Sequence, residues 1–208
     1  MTLVRQNNIW IKDTNLWTKQ IEGIDVKELA AQCLAINDEI HQTLKDKPHN
    51  YKIDDNTPFG TRVADYYNVF CYPSQEINRL YRAIREAFYA TGPMANKTYY
   101  IQGWVNVYEK GQFINWHRHA GKRNSYHGFF CVNSNVSSTQ YRFYDGTERE
   151  VESKDGLLVF SHSDNNFHRT TPCNDETPRI TIGFDIHTPG IILKALKQPH
   201  TMDHWTPI

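Results

Sequence analysis

Two hydrophobic periodicities divide this chain. Between Val26 and Leu44 the apolar positions Val26, Leu29, Cys33, Ile36, Ile40 and Leu44 recur at three and four residues, which predicts an amphipathic helix with one buried stripe. A second helix is predicted from about Gln75 to Thr91. Ser74 can cap it, Glu76 suits its positive N-terminal end, and Gly92-Pro93 stops it. Its buried face comprises Ile77, Leu80, Tyr81, Ile84 and Phe88. From Lys97 onward the period becomes two. Strands are predicted at 98–109, 112–119, 126–133, 139–144, 149–152, 156–161, 166–171 and 178–187, with turns such as Asp145-Gly146 and Asp155-Gly156 between them. A short alternating run at 8–12 reads as an edge strand. Residues 46–62 are polar, carry two prolines and a glycine, and read as a solvated loop.

Eight short strands after two helices predict a mainly β fold with N-terminal helices, a double-stranded β-helix (jelly-roll, cupin-like) with the helices packed on one sheet. The expected organisation is an N-terminal strand and helices (1–96) packing on the barrel, a β-helix core carrying a metal site (97–187), and a loosely structured C-terminal extension (188–208) with three prolines. Repeats and low-complexity tracts are absent from the sequence.

Composition narrows the function classes. Lys plus Arg equals Asp plus Glu, 23 each, so no global field recruits nucleic acid or an anionic membrane. Aromatic residues reach 13 %, which suits the inside and mouth of a β-barrel. Cys33, Cys71, Cys131 and Cys173 form neither a CxxC pair nor a dense framework, so reduced thiols in a cytoplasmic protein are expected. The first residues lack the apolar core of a signal peptide, and no apolar run approaches transmembrane length. A soluble protein without a membrane partner is the expectation.

The chemistry concentrates in three places. His117 and His119 stand two residues apart, so on a strand they project to one face. His168 lies on a later strand, and two strands facing each other could present all three imidazoles to one side of a metal, leaving the other side open. Arg179 begins the run Arg-Ile-Thr-Ile-Gly-Phe-Asp-Ile, in which Arg179, Thr181 and Gly183 share a face. An arginine inside a barrel needs an anionic partner. A dicarboxylate supplies one, taking a bidentate guanidinium contact and a further hydrogen bond from the Thr181 hydroxyl. An open iron site beside such an anchor suits an oxygenase that uses 2-oxoglutarate. Trp116, Arg118, Tyr126 and His127 lie close enough in sequence to line a substrate mouth. His162-Ser-Asp164 is a competing His-x-Asp triplet, but His168 follows it too closely to face it, and no arginine follows the remaining histidines. Asp164 itself suits turn chemistry.

These residues resemble the Fe(II)/2-oxoglutarate-dependent oxygenase superfamily, in particular its prolyl-hydroxylase-like branch. The matching features are Tyr108, the glycine turn at Gly111, Gln112-Phe113, His117 and the His168 to Pro172 interval. Trp104-Val-Asn106, His117-Arg-His119 and Arg179-Ile-Thr181 are similar to a variant, often phage-encoded, that carries His-x-His in place of His-x-Asp. The resemblance covers about residues 98–187. It implies that His117, His119 and His168 are the catalytic metal ligands, and that Arg179, Thr181 and Tyr108 bind 2-oxoglutarate. The reaction implied is hydroxylation coupled to oxidative decarboxylation of 2-oxoglutarate, with O₂ consumed, ascorbate as a supporting reductant, and a peptidyl or small-molecule substrate. The departure is His119, which stands where a carboxylate belongs and leaves the site one charge more positive. Two alternatives stay open: a cupin-like metal-binding or structural barrel, and a three-histidine dioxygenase that works without 2-oxoglutarate.

Overall fold

The computed structural model describes residues 11–13, 16–48, 56–93, 96–119, 124–195 and 202–208. Residues 8–10 of the expected edge strand, 49–55 of the expected loop and 196–201 of the C-terminal extension lie outside them. The strands β1 (Ile11–Asp13), β2 (Leu16–Gln20), β3 (Tyr100–Tyr108), β4 (Tyr126–Asn133), β5 (Ser138–Phe143), β6 (Glu148–Glu152), β7 (Leu157–His162), β8 (Asn166–Thr170), β9 (Arg179–His187) and β10 (Thr206–Pro207) form two antiparallel sheets. The larger has the order β1-β2-β7-β4-β9-β3-β10 and the smaller β6-β5-β8. Mainly β with N-terminal helices, and two sheets arranged as a double-stranded β-helix, is the fold the periodicity predicts.

Helices α1 (Val26–Leu44) and α3 (Gln75–Ala90) cover the outer face of the large sheet. Asp25 caps α1 by accepting from the Lys27 and Glu28 amides, and Ser74 caps α3 by accepting from Ile77. The α1 stripe Leu29, Cys33, Ile36 and Ile40 joins the α3 stripe Ile77, Leu80, Ile84 and Phe88 in one core. The sheet contributes Ile101 and Val105 from β3, Phe130 from β4, and Ile180, Ile182, Phe184 and Ile186 from β9. Because strand side chains alternate, one face of β9 spends its apolar residues under the helices. The other face turns Arg179, Thr181, Gly183, Asp185 and His187 toward the smaller sheet.

Three local expectations are corrected. Residues 112–119 are not a regular strand. The segment runs antiparallel to 168–173 through Cys173 N to Gln112 O, Thr170 N to Ile114 O and a reciprocal His117–His168 pair, each at 3.0 Å. One residue lies between Gln112 and Ile114 against two between Cys173 and Thr170, and two lie between Ile114 and His117 against one between Thr170 and His168, so the pairing is irregular on both strands and back in register at His117–His168. Within the 46–62 loop, Phe59–Arg62 forms a helical turn (α2). The tail read as loose contains α4 (Pro189–Ala195) and β10, which pairs with β3. No helix among the described residues is long and apolar enough to cross a membrane.

Candidate metal centre and anion pocket

The inward face of the large sheet is laid out in rows by its register. Tyr108 of β3 pairs with Arg179 of β9, Asn106 with Thr181, Trp104 with Gly183, and Gln102 with Asp185. On the other side of β9, Asp185 pairs with His127 and Gly183 with Phe129 of β4. Gly183 is required here, since a Cβ would come within 2.9 Å of the Trp104 indole that lies over it. These rows form one wall of a cavity of about 730 Å³. The opposite wall comes from Thr139 and Tyr141 of β5, His168 and Thr170 of β8, and the bulged segment 114–119.

His117, His119 and His168 converge in this cavity, each offering one ring nitrogen, with the three nitrogens within 4.8 Å of one another. Their elements explain the convergence. His168 sits on β8 opposite Tyr141 of β5, and the His117–His168 backbone pair fixes the bulged segment against it. His117 and His119, two positions apart, both line the cavity although the segment is not a regular strand.

The second nitrogen of each ring is engaged. Nδ1 of His117 lies 2.8 Å from the Asn115 carbonyl, which can only accept, so Nδ1 carries the proton and Nε2 is left with its lone pair. Nδ1 of His168 lies 3.3 Å from Oδ1 of Asn166, whose amide nitrogen is committed to Ser161 Oγ and the His162 carbonyl. Nδ1 of His119 lies 2.6 Å from Oδ1 of Asp185. Outer-sphere acceptors of this kind orient the ligand ring and fix its tautomer.

Burial keeps His117 and His168 neutral. Burial, helped by the neighbouring His119, holds the His117 imidazole down to about 4. Burial and the adjacent imidazoles hold His168 and His127 well below the ordinary histidine range. His187 is lowered too, chiefly by burial. Neutral imidazole is the ligating form, so His117 and His168 are prepared for a cation without first losing protons. These shifts carry a stability consequence. Between pH 6.5 and about 4 the unfolded chain takes up protons that the folded chain refuses, so stability falls as pH falls through that window. Each fully shifted imidazole contributes about 1.4 kcal/mol per pH unit. Metal-free protein is expected to melt well below its pH 7 temperature at pH 5; equal melting temperatures would mean that the buried imidazoles titrate normally.

At the other end of the cavity Arg179 is 1 % exposed. It donates to Thr139 Oγ1 at 3.1 Å and to the Ser138 carbonyl at 3.4 Å, while its Nε has no hydrogen-bond partner. Its guanidinium lies 5.1 Å from the centre of the Tyr108 ring. No carboxylate among the described residues pairs with it. Thr181 accepts from Asn106, whose own side-chain oxygen accepts from the Thr61 hydroxyl. Burial raises the Tyr108 phenol, with Arg179 opposing, so Tyr108 is a neutral group here.

All six residues singled out from the sequence therefore line one cavity. Of the four mouth candidates, Trp116, Arg118 and His127 line it too, with Trp116 flanked by the Arg142 and Arg169 guanidiniums at 4.7 and 4.9 Å. Tyr126 does not. It faces the helices and packs edge-on against Phe88 and Tyr99. His162 also lies outside the cavity, against Trp17 and Tyr126, and Asp164 is exposed in a turn. Sequence reasoning missed Asp185, and it left His127 as a lining candidate only. His127 is 2 % exposed, stacks at 4.6 Å on His119 and 4.5 Å on His168, and has no hydrogen-bond partner at either nitrogen. Extending the alternation of β9 by two residues beyond Gly183 would have found Asp185.

The donor set fits a divalent transition metal: three neutral imidazoles on one side, cavity on the other, a combination that accepts Fe(II) as well as Zn, Ni or Cu. The buried, unpaired Arg179 fits an anion. No family model and no curated protein matches the sequence. Among solved structures the chain is similar to a Pseudomonas putida prolyl-4-hydroxylase, at TM-score 0.60 and 15% identity over 84% of this chain and 93% of that one. It is similar to a Trichoplax adhaerens prolyl hydroxylase in complex with a hypoxia inducible factor peptide, at TM-score 0.59 and 12% identity over 89% of this chain and 88% of that one. A third similarity is to a non-heme alpha-ketoglutarate-dependent epimerase of nogalamycin biosynthesis, at TM-score 0.55 and 14% identity over 83% and 76%. The chain thus has the double-stranded β-helix fold of the 2-oxoglutarate/Fe(II) oxygenases, with a three-histidine cluster in its cavity.

Proposed function

We propose that this protein is a non-haem Fe(II)- and 2-oxoglutarate-dependent dioxygenase, a hydroxylase that couples oxidative decarboxylation of 2-oxoglutarate to oxidation of a peptidyl or small-molecule substrate. The observation that carries the reading is Arg179. A guanidinium 1 % exposed, with no carboxylate partner among the described residues and an unsatisfied Nε, is costly unless an anion from solution completes it. It lines the same cavity as three imidazoles that can hold a metal. A keto-diacid satisfies both ends, its distal carboxylate on Arg179 and Thr181 and its keto-acid end toward the metal.

In this reading His117, His119 and His168 would hold Fe(II), which supplies the activation of O₂ when bound. The chain's own residues do the rest. Arg179, Thr181 and the neutral Tyr108 fix the co-substrate's orientation, and orientation is what a positioned reactant gains over a free one. Trp104, Tyr141 and Phe129 give the cavity an aromatic lining that limits water. Trp116, Arg118 and the 57–65 segment form the rim over which a substrate would enter.

Succinate release from 2-oxoglutarate, measured with Fe(II), ascorbate and O₂ alongside calorimetric 2-oxoglutarate binding, tests this. Metal-dependent 2-oxoglutarate binding and succinate formation are expected. Tight metal binding with neither would favour a metal-binding barrel or a three-histidine dioxygenase that needs no 2-oxoglutarate.

A further inference from the structure

Position 119 lacks a carboxylate, yet a carboxylate reaches the site from another strand. We propose that Asp185 supplies, through His119, the negative charge that an acidic residue at position 119 would supply directly, which makes Asp185 a positioning residue of the metal centre. The proposal rests on the metal-binding reading above.

Three observations carry it. The first is contact. Oδ1 of Asp185 lies 2.6 Å from Nδ1 of His119, while its Oδ2 is 3.9 Å from Nε2 of His187. The carboxylate therefore sits behind the His119 ring and leaves Nε2 to the metal. The second is asymmetry. The other two ligands have neutral acceptors behind them, a backbone carbonyl for His117 and an amide oxygen for His168. Only His119, the residue standing where the acid belongs, has an anion. The third is isolation. The Asp185 side chain is 20 % exposed and, among the described residues, no lysine or arginine pairs with it; its titratable neighbours are imidazoles. A carboxylate in that setting gains from a cation nearby.

Charge counting makes the consequence concrete. A divalent ion with three neutral imidazoles leaves the centre at +2, and a carboxylate 2.6 Å from the ring of one of them brings the local sum to +1. Two histidines and a direct carboxylate give the same sum. A carboxylate behind a ligating imidazole also makes that imidazole a stronger donor, and losing such a partner typically costs about 10- to 100-fold in metal affinity.

The test is Mn(II) binding to the full-length metal-free protein, by calorimetry, in two backgrounds. Asp185→Asn is expected to weaken Mn(II) binding about 10- to 100-fold. In a His119→Asp background the same replacement is expected to leave binding unchanged or tighten it, because the ligand then carries its own charge and Asp185 only repels it. A merely structural role would cost the same in both backgrounds. Unchanged affinity in Asp185→Asn, or equal losses in the two backgrounds, overturns the proposal while the metal reading stands. If Asp185→Asn does not fold, His119→Asp compared with His119→Asp/Asp185→Asn decides it, and weaker binding by the double variant overturns it. A wild-type protein that binds neither Mn(II) nor Fe(II) would bring down the metal reading and this proposal together.

Discussion

His168→Gln should abolish tight binding of Fe(II) or Mn(II) while leaving the metal-free protein folded. His168 is the proposed ligand with the most fixed position: its backbone pairs with both Tyr141 and His117, its ring is stacked by His127 and Tyr141, and Asn166 lies against its Nδ1. Glutamine keeps the side chain polar and about the same length but replaces a nitrogen lone pair with a poorer amide ligand. The loss should exceed the roughly 10- to 100-fold that removing an outer-sphere partner costs. Thermal melting reads it directly. A metal at 100 times its dissociation constant stabilises the wild-type fold by about 2.7 kcal/mol, and the variant should gain none of this. Equal metal-induced stabilisation of both proteins would mean that the ion sits elsewhere.

Why the helices and the polar face of β9 are plain in the sequence, and the irregular 112–119 segment is not, is a question of which physical signals are local. The alternation of β9 is local. Arg-Ile-Thr-Ile-Gly-Phe-Asp-Ile-His puts its polar residues on one face whatever the strand pairs with, so the anchor face was readable as far as the pattern was followed. The helices were equally plain, since the α1 and α3 stripes are set by a 3.6-residue period and capped by Asp25 and Ser74. The failures are non-local. Residues 112–119 look like a strand because they alternate, but the bulge opposite Thr170 and His168 is set by partners more than fifty residues away. Past that irregularity His117 and His119 stand two positions apart, and both turn to the cavity as alternation predicts. β2 was missed because Leu-Trp-Thr-Lys-Gln carries little signal alone and is strand by its pairing with β1 and β7. Tyr126 was placed in the mouth by sequence proximity, whereas one step of alternation along β4 puts it under the helices and His127 in the cavity. Proximity in sequence was the weaker guide, and the period of two was the stronger.

Arg179→Met should separate the proposed co-substrate from every other role of this residue, because its effects on stability and on binding have opposite signs. Methionine roughly conserves volume and removes a buried charge that no carboxylate among the described residues offsets. The metal-free fold should therefore be as stable or more so, since replacing buried charge with well-packed apolar atoms is often neutral or stabilising. What is given up, the hydrogen bonds to Thr139 and the Ser138 carbonyl, is modest. Binding should go the other way. Deleting one partner of a desolvated, hydrogen-bonded charge pair costs about 2–5 kcal/mol, so 2-oxoglutarate affinity should drop by about thirtyfold to several thousandfold, with metal affinity unchanged. Arg179→Lys should fall between, keeping the charge but losing the two-pronged contact. Calorimetry with Mn(II) present measures the binding, and melting in its absence measures the stability. An arginine retained only to brace β5 against β9 would produce the reverse pattern, a destabilised fold that still binds the keto-diacid once folded. The two patterns do not overlap, so a single variant decides whether this guanidinium is part of the scaffold or awaits a carboxylate.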